Sequence, residues 1–249
     1  MTTGAVRVLL VSESAVCRAP LAAALLRRAA AHSPALPPRA LRVDAAASCD
    51  YCEGQGVAES CRLAAEALGV DGECAAHEAR TFDAAADADF YDLILCVDGS
   101  SAADVLKEIC VFDIVERSSR STLVRRLGEF GARGKVKYAD LDVDDALYGN
   151  MGGQDEVDAA MAAAEDMADM CAGVVAWLET LADGGDGDND GVTTSLRERV
   201  AAALGELPET QWLVPPMLQS SNPSADVSRA TNAAASAPDS GREFDWGSL

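Results

Sequence analysis

The chain has 249 residues, 49% of them hydrophobic, and 41 acidic side chains against 20 basic, for a net charge of −21. This size suits one good-sized domain with extras or two small ones, and the composition excludes collagen, coiled coil and wholesale disorder. So negative a chain repels phosphate backbones and anionic head groups, which argues against nucleic acid and membrane surfaces as partners.

The first apolar run, Val8 to Val11, is too short for a signal core or a bilayer span, so a soluble, cytoplasmic protein is expected. Residues 6 to 11, Val-Arg-Val-Leu-Leu-Val, predict a strand buried on both faces. Ser12-Glu13-Ser14 breaks the run, and the stretch from Pro20 predicts a helix with proline in its first turn. Leu41 to Ala47 predicts a second strand, Val57 to Leu68 a helix stopped at Gly69, Tyr91 to Asp98 the clearest strand, and Ala102 to Ile109 a helix. A helix is expected around Thr122 to Phe130 within a mobile, Arg-rich insertion, then a short strand at Val136 to Tyr138. A long helix follows at Asp155 to Leu181. The alternation predicts an α/β fold, a small twisted parallel sheet with helices on both faces, whose ligands lie at the carboxyl ends of the strands.

Past Asp183 the composition turns acidic and glycine-rich, then passes through a short helix at Ser195 to Leu204 into a Pro/Ser/Ala/Asn tail. This predicts a domain of 1–182 and an appended segment of 183–249. Asp186, Asp188 and Asp190 copy the first half of an EF-hand loop, but Arg197 stands where the bidentate glutamate belongs, so an acidic linker is favoured over a calcium site. Phe244 and Trp246 among acids could anchor a partner through the tail, against a simple frayed end.

The eight cysteines are expected to be reduced. Cys49 and Cys52 have CxxC spacing without a second such pair, which leaves zinc ligands, a redox couple or two ordinary loop thiols open. No metal or other cofactor is called for.

The loop from Ser12 to Arg18 joins a buried strand to a helix N-terminus. Backbone N–H groups and the helix dipole converge there, and Arg18 adds a planar fork of donors. An oxyanion site and an ordinary turn with an arginine are equally good readings of that spacing. At this point Ser12-Glu13-Ser14-Ala15-Val16-Cys17-Arg18-Ala19-Pro20 resembles the phosphate loop of the low-molecular-weight protein tyrosine phosphatases, Cys-x5-Arg-Ser-Pro after the first strand. Asp92 to Asp98 resembles that family's strand ending in Met-Asp, and His77-Glu-Ala-Arg80 its His-x-Ala-Arg segment. Asp145-Ala-Leu-Tyr-Gly149 resembles its Asp-Pro-Tyr-Tyr-Gly loop ahead of a final helix.

The resemblance implies a phosphate cradle of Glu13, Ser14, Ala15, Val16, Cys17 and Arg18, a nucleophile position at Ser12, a general acid at Asp145, and substrate walls at Leu147 and Tyr148. It also implies a phosphorylated protein or small phosphoester as ligand. The departures bear on activity. Ser12 stands where the family has its thiolate nucleophile, and no histidine is near it in sequence to serve as base. Ala15 and Ala19 replace loop-bracing Asn and Ser, Glu13 puts a carboxylate on the rim, and Leu147 replaces an aromatic wall. Cys17 is expected to point away from the ligand position, and Cys74-x5-Arg80 to match the motif by coincidence. The leading expectation is a phosphate-binding protein with little or no turnover. The alternatives are a working phosphomonoester hydrolase and an interaction protein acting through its tail.

Overall fold

The computed structural model describes residues 4–37, 39–131, 141–150, 152–183 and 194–207. By contacts the chain divides into a unit of residues 1–215 and one of 216–249, and every described residue belongs to the first. Strand β1 (Val6–Ser12) is the central element. Its apolar side chains alternate between two cores, Val6, Val8 and Leu10 entering one and Leu9 and Val11 the other, as the period of two in a strand requires.

β1 pairs in parallel with β2 (Leu41–Ala47), from Val6 opposite Leu41 to Ser12 opposite Ala47, and with β3 (Leu93–Cys96), Val8 opposite Leu93. A short β4 (Val124–Arg126) completes the sheet order β2-β1-β3-β4. The first core lies under helices α1 (Arg18–His32), α2 (Glu59–Ala67), α3 (Asp71–Cys74) and α6 (Gln154–Asp183), and the second under α4 (Ala84–Phe90) and α5 (Gly99–Glu116). α7 (Leu196–Glu206) adds Leu196, Val200 and Leu204 to the first core, behind a capping box made by Ser195 and Glu198. The chain leaves β1 toward one edge of the sheet and returns on its other side as β3. The crevice beyond the carboxyl ends of β1 and β3 is therefore a topological switch point, where ligands of open parallel sheets bind.

Strands β1 and β2, the proline-started α1 and the long α6 lie where the sequence predicts them. Three expectations need correction. The strand expected over Tyr91 to Asp98 is confined to Leu93–Cys96, because Asp92 turns its carboxylate back onto the Arg7 N–H at 2.8 Å and Asp98 caps the next helix. That helix extends well beyond Ala102 to Ile109. The Asp98 carboxylate accepts the Ser101 N–H at 2.7 Å to start it, and Arg117, at φ 54°, ends it. The helix expected over Thr122 to Phe130 is β4 between two 3-10 turns, Arg120–Leu123 and Leu127–Phe130. Here pairing with β3 overrides local pattern, and buried Arg125 and Arg126 meet Glu129 at 2.5 Å and Asp142 at 2.8 Å. The strand expected at Val136 to Tyr138 lies outside the described residues, as do the acids of the EF-hand-like stretch and the tail from 208 onward.

The turn after β4 packs so closely on α6 that a Cβ at Gly173 would overlap the Phe130 carbonyl. Gly173→Ala is therefore expected to destabilise the fold by about 1–3 kcal/mol, despite alanine's better helix propensity. Urea unfolding measured beside the wild type checks this; an unchanged midpoint would show that the contact is slack.

Candidate oxyanion site

The loop opens at Ser12, the last residue of β1, and closes at Arg18, the first of α1. The Ser12 hydroxyl is buried and accepts the Ala15 N–H at 3.2 Å and the Ala19 N–H at 3.3 Å, so it sits inside the loop it begins. Ser14, Ala15, Val16, Cys17 and Arg18 are all buried. Among the described residues, the N–H groups of Glu13, Ser14, Val16, Cys17 and Arg18 meet no acceptor. Buried backbone donors are almost always paired, and a run of unpaired ones at a helix N-terminus is the ordinary construction of an anion site.

Neighbouring segments fix the loop from outside. The Ser48 N–H donates to the Ser12 carbonyl at 2.9 Å, Cys49 N–H to Glu13 at 3.0 Å and Ala58 N–H to Val16 at 2.8 Å. Ala15 has φ 52°, a left-handed conformation that a side chain ordinarily avoids at a cost of about 1–2 kcal/mol. Its carbonyl meets His77 Nε2 at 2.8 Å. Burial holds the His77 pKa below 6.5, with the charges of Arg27 and Arg80 adding to the effect against the hydrogen bond to Ala15. The neutral ring therefore donates to that carbonyl. A histidine does lie against the loop, contrary to what sequence distance suggests, but on its back and not on the Ser12 hydroxyl.

Arg18 is 5% exposed. Its Nη1 donates to the Asp98 carboxylate and, at 2.7 Å, to the Val143 carbonyl, while Nη2 donates to Asp145 at 2.8 Å. Asp145 also accepts the Leu147 N–H at 3.0 Å, which sets the turn of its own loop, and the Val143 N–H continues from β3 by donating to Val97 at 3.0 Å. The structure thus brings Arg18 and Asp145 together, at the end of the loop that Ser12 opens. Of the two wall positions, Leu147 is half-buried against the first core and Tyr148 is 88% exposed. Cys17 is buried, and its thiol and carbonyl face the Cys61 thiol of α2, whose pKa is strongly raised by the hydrogen bond to Cys17 and by burial. Glu13 lies on the exposed rim beside the Tyr51 phenol, which burial and the hydrogen bond and charge of Glu13 push up to about 12. Cys74 is buried against the Pro20 carbonyl and Arg80 is engaged by Asp87 at 2.9 Å, so this second Cys-x5-Arg match forms no loop of its own.

Asp98, Val143, His77 and the Ser48–Cys49 segment were not assigned to the oxyanion site from sequence. Asp98 left a signal there as an acid between a buried strand and Gly-Ser-Ser, the pattern of a helix cap, and His77 as part of the His-x-Ala-Arg segment, without a role.

The fold is that of the low-molecular-weight tyrosine phosphatases. No family model matches the chain and no curated protein matches it, but solved structures do. A protein tyrosine phosphatase from Entamoeba histolytica is 19% identical, with TM-score 0.52, over 71% of this chain and 98% of its own. The YwlE arginine phosphatase from Geobacillus stearothermophilus is 18% identical, with TM-score 0.54, over 74% of this chain and 99% of its own. A cysteine-to-serine mutant of YwlE with a phosphorylated active-site serine is 16% identical, with TM-score 0.53, over 70% and 95%. Among the described residues, no helix is long and apolar enough to cross a membrane, and no three His, Cys, Asp or Glu side chains form a group able to hold a metal ion.

Because the His77 pKa is lowered on folding, the unfolded chain takes up its proton first as the pH falls through 6.5. Stability on this account is complete above that pH and declines below it until the folded pKa is reached. Wild type should lose more stability than His77→Gln between about pH 7 and about pH 5. Chemical denaturation of both across that range tests it, and parallel curves would remove His77 from the account.

Proposed function

We propose that the chain binds phosphate, or a phosphorylated protein or small phosphoester, in the loop from Ser12 to Arg18, and that it hydrolyses phosphoesters little or not at all. The observation that carries this reading is the loop with five N–H groups unpaired among the described residues, four of them on buried residues, beside Arg18 and with a hydroxyl at its first position. The phosphatase fold supports it.

A thiolate attacks phosphorus at neutral pH because it is already ionised, whereas a serine needs a base. His77 commits Nε2 to Ala15, and Asp145 is paired with Arg18. Among the described residues neither hydrogen-bonds the Ser12 hydroxyl, which meets only the Ala15 and Ala19 N–H groups. Binding also has an internal competitor. Two carboxylates share the one guanidinium, Nη2 is held by Asp145, and Glu13 adds a third negative charge at the rim.

Inorganic phosphate, sulfate or vanadate should raise the thermal midpoint, a ligand at a hundred times its Kd adding about 2.7 kcal/mol. Asp145→Asn should tighten that binding by about tenfold or more, because a like charge near the anion is worth ~1–4 kcal/mol. Failure of all three anions to stabilise the protein would sink the binding reading.

A second reading is favoured by the phosphorylated serine of the YwlE mutant: Ser12 accepts a phosphoryl group and retains it. The Ser12 Oγ–P bond would form as the donor's bond to phosphorus breaks, the serine proton passing to the leaving group. Release then stalls, because an alkoxide leaves phosphorus less readily than a thiolate. Aryl phosphate assays of wild type beside Ser12→Cys, with intact mass measured on both, separate the cases. The cysteine variant is expected to turn over at least about a thousandfold faster. Unmodified wild type supports simple binding, a wild-type phosphoserine the second reading, and equal turnover a working phosphatase.

A further inference from the structure

We propose that Cys49 and Cys52 form a redox-active dithiol on the rim of the oxyanion loop, closed reversibly to an intramolecular disulfide by low-molecular-weight disulfides such as oxidised glutathione. The inference does not rest on phosphate binding.

Six of the eight cysteines, Cys17, Cys61, Cys74, Cys96, Cys110 and Cys171, are buried, and only Cys49 and Cys52 are partly exposed. Burial pushes the Cys74 thiol up to about 11 and the Cys171 thiol up to about 12, which keeps such groups protonated and inert. The exposed pair is left as the accessible one.

The two lie on one short stretch of bend and turn. It bends at Cys49 and turns through Asp50 to Glu53, with the Glu53 N–H donating to Asp50 at 3.0 Å and the Gln55 N–H to Cys52 at 3.0 Å. Three residues of separation across a bend is the spacing of CxxC couples, within the reach of a disulfide. The zinc reading of the same pair has no further ligands, since no group of three metal-ligating side chains occurs among the described residues.

The turn is also joined to the oxyanion loop. The Ser48 and Cys49 N–H groups donate to the carbonyls of Ser12 and Glu13, at 2.9 and 3.0 Å. Closing the disulfide tightens a turn whose first residues are hydrogen-bonded to the first two residues of that loop.

The chemistry balances as two exchanges. One cysteine thiolate attacks a sulfur of glutathione disulfide, forming a mixed disulfide and expelling one glutathione thiolate. The second thiolate then attacks the cysteine sulfur of that mixed disulfide and expels the other. The dithiol is oxidised, glutathione disulfide is reduced, and the two protons end on two glutathione thiols.

The test is incubation of the full chain with oxidised glutathione, followed by alkylation under denaturing conditions and peptide mapping. Two of the eight thiols should be lost, no glutathione retained, one peptide should carry the Cys49–Cys52 bridge, and dithiothreitol should restore both thiols. Cys49→Ser and Cys52→Ser should each retain one glutathione as a mixed disulfide. The proposal is overturned if the wild type keeps all its thiols, if it keeps bound glutathione, or if the bridge maps to any other pair. The wild-type map decides the matter even if a variant fails to fold.

Discussion

The Arg18 guanidinium joins three parts of the chain that are far apart in sequence: the helix after the oxyanion loop, the end of β3 at Asp98, and the loop of Val143 and Asp145. A charge so deeply buried is tolerable only with its partners in place, and removing one partner of such a pair ordinarily costs about 3–5 kcal/mol. The same side chain is therefore the fold's cross-link at the switch point and the cation at the end of the loop. An anion bound at the loop would draw on donors that the fold already uses. Anything that binds Arg18 more strongly must loosen its hold on Asp145, the partner with the more exposed side chain.

Around that cross-link the loop keeps a shape that its own residues do not favour. Alanine at φ 52° has no local reason to adopt it, and five donors are left without acceptors. The surroundings over-determine the conformation, through His77 on the Ala15 carbonyl, Ala58 on Val16, and Ser48 and Cys49 on the first two loop residues. Strain held this way, at the end of a parallel strand, is offset by the contacts of the surrounding segments.

How far the sequence reveals this depends on the range of each interaction. β1 and β2 are short apolar runs bounded by turn residues, and α6 is a long amphipathic pattern, so periodicity suffices for all three. β4 has only three residues, two of them arginines, and exists because β3 offers an edge and Glu129 and Asp142 offer charges, none of which is local. The site divides in the same way. Ser12, Arg18 and Asp145 follow from the resemblance of two short segments to the family's loop motifs. Asp98 on Arg18 and His77 on Ala15 span 80 and 62 residues, and nothing in the intervening sequence marks them as partners.

The hydroxyl at position 12 alters the electrostatics of the loop as well as its chemistry. Arg18, Asp98 and Asp145 together already carry one excess negative charge, and Glu13 stands nearby on the rim. A thiolate in place of Ser12 would add another anion inside the ring of amides, where the low dielectric magnifies repulsion of an incoming phosphate. The neutral hydroxyl takes only the N–H groups of Ala15 and Ala19, leaving the rest of the loop amides and the positive end of α1 unneutralised. On the proposed reading, a serine at this position lacks the nucleophile but also lacks a charge that would oppose binding, so such a loop could still hold an anion without supporting turnover.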